Sequence, residues 1–109
     1  MCLVGTVNCQ KKWTGGCHNW GTHLITRYAD KSYSVQECYY LCNSESMCAG
    51  FFVGGEIYAG GNTQCQLFRE GCTKRDDSSW DYYLMEDCLG IFIFHRQYFK
   101  INIVLLNFF

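Results

Sequence analysis

Three cysteines fall within eleven residues of the stretch SVQECYYLCNSESMC, at Cys38, Cys42 and Cys48. Thiols this dense have three chemistries open to them: a metal centre, a dithiol redox couple, or covalent cross-links. Structural zinc sites pair one C-x2–4-C knuckle with a second. CYYLC is such a knuckle, but the chain offers no second one. Cys17, His18 and His23 in CHNWGTH form a looser set, and two histidines in and beside an expected strand read more simply as surface or packed residues. No C-x-x-C is present to serve as a redox pair. Cross-linking is the chemistry left for the cysteines.

The other residues show no sign of catalysis. No serine sits in a G-x-S-x-G elbow, and the glycine pairs at 54–55 and 60–61 lack the lysine and hydroxyl of a phosphate loop. Asp76 and Asp77 stand beside Lys74 and Arg75, without the alternating oxygen ligands of a calcium loop. A solvated loop is the simpler reading of that run. We therefore expect no enzyme activity, no catalytic residue, no metal and no cofactor. Lys and Arg total 9 against 10 Asp and Glu, a net charge of -1. That balance supplies no basic field for nucleic acid. No N-x-S/T acceptor for N-glycosylation occurs.

The chain has 109 residues, enough for one small domain, and nine are cysteine. This density approaches that of a disulfide scaffold and points to an oxidising, secreted or extracellular setting. The odd count means that one thiol is left over, that it pairs with another chain, or that a boundary of the sequence is wrong. MCLVGTVNC has neither the basic start nor the apolar run of a signal peptide. A secreted reading thus implies a mature product, a fragment or a module of a longer protein.

Three zones organise the chain. Residues 1–16 are a cysteine-bearing lead-in with a break at Gly15 and Gly16. Residues 17–88 begin and end on a cysteine. Residues 89–109 are rich in Phe, Ile, Leu, Asn, Lys and Tyr. Two readings of this tail stay open. It could be translated AT-rich non-coding sequence, or an added strand pair or partner-binding tail. His95, Arg96, Lys100 and Asn102 interrupt its apolar residues, which argues against a membrane span of about 20 residues.

In the middle zone, Trp20 to Tyr28 is rich in β-formers and reads as a strand. Ser34 followed by Glu37 is a capping-box signature, which predicts a helix from Val35 to Asn43 with an apolar stripe of Val35, Cys38, Leu41 and Cys42. CAGFFVG and QCQLFRE read as strands joined by the glycine-rich GGEIYAGGN, and GCTKRDDSS as a polar loop. In WDYYLM, alternation puts Trp80, Tyr82 and Leu84 on one face and Asp81, Tyr83 and Met85 on the other. The fold class expected is α+β: a small disulfide-rich domain with one helix packed on a short antiparallel β-sheet.

Cys38 and Cys42 lie one helical turn apart on one face, so each should reach elsewhere. Cys48, six residues past Cys42, offers a short staple, and Cys65 on the CQLF strand is a natural partner for Cys38. With its strand, its C-x-x-x-C helix, a third cysteine after the turn, a C-x-L strand and a final Tyr-rich strand, the segment 17–88 resembles a PAN/apple domain. The resemblance implies bonds Cys38–Cys65 and Cys42–Cys48. It also implies a bridge between the domain's ends involving Cys88, with Cys9 or Cys17 opposite. Within that frame, Cys9–Cys88 and Cys17–Cys72 are the expected remaining pairs, leaving Cys2.

Modules resembling this family recognise carbohydrates or proteins, often within larger adhesive chains. The first functional expectation is therefore an extracellular binding module for a glycan or protein. Its candidate contacts are Tyr58 in the glycine loop and Lys74, Arg75, Asp76, Asp77 and Trp80 near the final strand; for Trp80, core packing is the competing reading. The alternative is a structural module of a fibre, matrix or coat that self-associates through its tail or a spare cysteine.

Overall fold

The computed structural model describes residues 4–94 and 97–102, with side chains described for residues 6–90. Elements follow in the order β1 (Val4–Thr14), β2 (Gly16–Cys17), α1 (Trp20–His23), β3 (Leu24–Tyr28), α2 (Val35–Asn43) and β4 (Gly50–Gly54). A 3-10 turn over Glu56–Tyr58 precedes β5 (Gln64–Phe68), β6 (Lys74–Arg75), β7 (Trp80–Phe94) and β8 (Gln97–Asn102). The main sheet runs β1-β7-β4-β5-β3, with β8 paired to β7, and every described pairing in it is antiparallel. A two-stranded ribbon of β2 and β6 stands apart from it. The architecture is a small disulfide-rich α+β fold.

Helix α2 begins where the sequence places it. The Ser34 side chain accepts from the Glu37 amide (3.1 Å), and the Glu37 carboxylate accepts from the Ser34 amide (3.0 Å). Two of the orphan donors at the helix start are thereby satisfied. Lys31 pairs with the same carboxylate, and these contacts, that from Lys31 the largest, hold the Glu37 carboxyl below its ordinary range. Ser34→Ala should lower stability by about 1 kcal/mol, measured by urea unfolding, with Ser34→Asp retaining most of it.

One face of α2 buries Cys38, Tyr39 and Cys42 against the sheet, where they meet Phe51, Cys65, Leu67, Met85 and Cys88. Val35 and Leu41 of the expected stripe pack at the edge of this core. Tyr39 joins it too, beyond the expected stripe. The opposite face of the sheet holds a second cluster of Cys17, Phe52, Phe68, Trp80 and Tyr82. Strand alternation divides the two. In β7, Trp80, Tyr82 and Leu84 belong to the second cluster, and Tyr83 and Met85 to the first.

Four cysteine pairs are bonded: Cys9–Cys88, Cys17–Cys72, Cys38–Cys65 and Cys42–Cys48. Eight of the nine cysteines are thereby used; Cys2 lies outside the described residues. Cys38–Cys65 ties the helix to β5, and Cys42–Cys48 closes the turn after it.

The sequence reading differs from the structure at four places. Trp20–His23 is a helical turn, and the strand begins only at Leu24. Asn19 accounts for this: its side-chain amide donates to the Gly71 carbonyl (3.2 Å), its oxygen accepts from the Thr73 amide (3.3 Å), and its own carbonyl accepts from Thr22. These contacts turn the chain before it can extend. Residues 4–14, read only as a lead-in, form β1 along β7. The polar loop after β5 contains β6, paired with β2. The WDYYLM strand does not stop near Met85 but runs on to Phe94, and 97–102 pair with it. The described backbone of the tail thus takes the form of an added strand pair.

Candidate functional site

The two faces of the sheet are covered differently. Helix α2 seals one. The other is covered by loops and short elements that leave a cleft of about 290 Å³ between them. Its floor is a row read straight across the strands. Arg27 on β3 is opposite Gln66 on β5, and Gln66 is opposite Phe52 on β4; Tyr82 on β7, next in the register, backs Phe52 without lining the cleft. Gln64, Phe68 and Trp80 extend the floor on either side of this row. Period-2 alternation dictates the grouping. Because Cys65 and Leu67 face the helix, Gln64, Gln66 and Phe68 must face the cleft.

The aromatic floor is closely packed. The Phe52 and Tyr82 rings stack with centroids 4.4 Å apart, and Phe52 meets Phe68 edge-on at 4.7 Å and Trp80 at 6.4 Å. Burial, with the charges of Glu86 and Glu70 adding to it, pushes the Tyr82 phenol up to about 12. Tyr82 supports the floor from below without lining the cleft itself.

The walls are held by covalent and hydrogen bonds. Cys17–Cys72 fastens β2 to the loop before β6, and the His18 amide donates to the Thr73 carbonyl (2.8 Å). On the opposite wall, the glycine loop is fixed at its root. Gly55 has φ 63°, and a Cβ there would stand 2.4 Å from the Trp80 ring. Only glycine lets this turn close over the indole. The Gly55 amide donates to the Ser79 carbonyl (2.8 Å), and the buried Gln64 amide donates to the Gly55 carbonyl (2.9 Å). Glu56 accepts from the Thr63 hydroxyl (3.2 Å). The loop that carries Tyr58 is thus anchored while Tyr58 itself is 67% exposed.

Four of the residues singled out from sequence come together here: Tyr58, Arg75, Asp77 and Trp80 all line the cleft. Trp80 is buried, so it packs in the core and borders the cleft at once. Lys74 and Asp76 do not line it; alternation along β6 and the turn after it leaves both on the outer surface. Arg75 and Asp77 pair with each other at 3.4 Å, and the other Asp77 oxygen accepts from the Ser79 amide (2.9 Å). Asp77 therefore orients Arg75 and shapes the wall more than it offers a free carboxylate.

Sequence reading missed Trp20, Arg27, Gln64 and Gln66, all on the cleft. The signal was present for the glutamines. A strand QCQLF whose cysteine points at a helix must present its glutamines to the other face. Trp20 was hidden by the strand assignment, since a helical turn brings its ring, 50% exposed, to the rim.

Chemically, the cleft can stack and hydrogen-bond. It joins aromatic faces to guanidinium and amide groups. Among the described residues no group of three or more His, Cys, Asp or Glu side chains is placed to hold a metal ion, and no helix is long and apolar enough to cross a membrane. Comparison with known proteins found no matching family model, no matching curated protein and no matching solved structure.

Proposed function

We propose that this chain is an extracellular, disulfide-stapled binding module, part of a larger protein, whose cleft takes a carbohydrate end group. The observation that carries this reading is the convergence of Trp20, Tyr58, Trp80, Arg75 and Gln66 on one cleft whose walls are fixed by Cys17–Cys72 and the Gly55 turn. Sugar rings present apolar C–H faces to aromatic rings and hydroxyls to amide and guanidinium groups. A rigid wall leaves little ordering entropy to be lost on binding. A volume of about 290 Å³ lies at the small end of ligand pockets, which suits a terminal sugar better than a protein loop. Four disulfides are compatible with an oxidising compartment. The helix-to-sheet bond and the adjacent short staple support the PAN/apple resemblance as the family reading.

Titrating a panel of mono- and disaccharides while following tryptophan fluorescence tests the proposal, because Trp20 and Trp80 both border the site. Tyr58→Ala should weaken binding of the responding sugar about ten-fold and leave the melting temperature within about 1 °C, since surface changes alter stability little. Absence of any saccharide response, with the protein folded, would sink the cleft reading.

The assembly reading is the second candidate. Residues 97–102 are paired within the chain's own sheet, so this segment is not presented as a donor strand. Non-reducing electrophoresis separates the two readings: a thiol-sensitive polymer favours assembly, and a monomer favours the binding module.

A further inference from the structure

We propose that the cleft selects an acidic saccharide, a sugar bearing a carboxylate, and that Arg27 reads the carboxylate. The proposal rests on the carbohydrate reading above and names its ligand class. It follows from which polar groups of the cleft are already engaged. Asp77 has both oxygens occupied, by Arg75 and by the Ser79 amide. Gln64 is committed to the Gly55 carbonyl and accepts from the Gln66 amide (3.4 Å). Among the described residues Arg27 makes no ion pair and no side-chain hydrogen bond. The Gln66 side-chain oxygen likewise accepts nothing there.

The cleft therefore holds two arginines against one aspartate, and the aspartate neutralises Arg75. One positive charge is left over at Arg27, although the whole chain carries a net charge of -1. The five donors of a guanidinium form a planar fork that matches a carboxylate in two parallel hydrogen bonds. Cross-strand pairing sets Arg27 directly opposite Gln66. A ring that gives its carboxylate to Arg27 has a hydroxyl donor within reach of the Gln66 oxygen, and its apolar face toward Trp20 or Tyr58. The arrangement asks for an anion, a neighbouring hydroxyl and an apolar face together. Uronic acids and sialic acids carry all three.

The test compares matched pairs that differ in the acid: methyl glucuronide against methyl glucoside, and sialyllactose against lactose. Binding is followed by tryptophan fluorescence and by calorimetry at low and at physiological salt. The acidic member of at least one pair should bind about ten-fold or more tightly, as a charge-assisted bidentate contact implies, and less so at high salt. Arg27→Gln should bring that acidic sugar down to the affinity of its neutral partner while leaving the neutral sugar within about two-fold. Arg27→Lys, which keeps the charge but not the fork, should fall between. Arg27 is exposed, so both variants should melt with the parent. Equal binding of acidic and neutral members overturns the acidic inference and leaves the cleft reading standing. No response to any of the four sugars overturns both. A glutamate-rich peptide that binds where the sugars do not would overturn the saccharide class in favour of a protein partner.

Discussion

A double variant carrying Cys38→Ala and Cys65→Ala is expected to lose about 3.5 kcal/mol of stability or more, and to be partly unfolded at 37 °C. The bond spans 27 residues, and freeing a loop of that length returns about 3.5 kcal/mol of chain entropy to the unfolded state. Both cysteines are completely buried in the core between α2 and the sheet, so two sulfur atoms are also removed from a packed interior. A domain of this size has a margin of only about 5–15 kcal/mol. The Cys42–Cys48 bond closes six residues, and its loss should cost about 2 kcal/mol on the same argument. Urea unfolding of the oxidised variants measures the order. If the two double variants were equally stable, the helix-to-sheet bond would contribute no more than the short staple.

Phe52→Ala is expected to remove about 3–5 kcal/mol and, before unfolding sets in, to abolish binding in the cleft. Phe52 is 1% exposed and touches three other rings, those of Tyr82, Phe68 and Trp80. Truncating it leaves a cavity under the cleft floor and frees Trp80 to tilt. Since Gly55 closes over that indole, the tilt passes to the loop bearing Tyr58. Phe52→Leu should cost less and separate the two effects. Thermal unfolding would show a fold largely kept, and saccharide titration a weakened response. An unaltered affinity in a folded Phe52→Ala variant would show that the floor does not set the walls.

The parts legible in the sequence were those with strong local signals. Helix α2 was readable because Ser34 and Glu37 cap it and its apolar spacing is helical. The faces of the strand from Trp80 to Met85 were readable because alternation is a local rule. Cys38–Cys65 and Cys42–Cys48 were readable because two thiols one turn apart on a helix must diverge, whereas Cys9–Cys88 and Cys17–Cys72 were expected only from the family resemblance. Other parts depended on distant partners. Nothing near Trp20 announces a helical turn, because the groups that make it, Gly71 and Thr73, lie about fifty residues away. Strand β1 has a mixed pattern, VGTVNCQKKWT, and is a strand because β7 is there to pair with it. The cleft was half legible for a related reason. Tyr58, Arg75 and Asp77 stand in stretches whose glycine-rich or charged composition marks them out, although Arg75 lies on β6. Arg27 gains its place only through the register that sets β3 on β5.

The Cys9–Cys88 bond has a mechanical meaning. Cys9 and Cys88 are register partners across β1 and β7, with a sequence separation of 79. Tension applied to the chain outside this pair passes from one strand to the other through sulfur and never enters residues 10–87. The helix, the cleft and the other three bonds sit in a slack loop behind that clasp. Under load the described fold would lengthen only by the segments outside the clasp, and the cleft would keep its shape while the chain was being pulled.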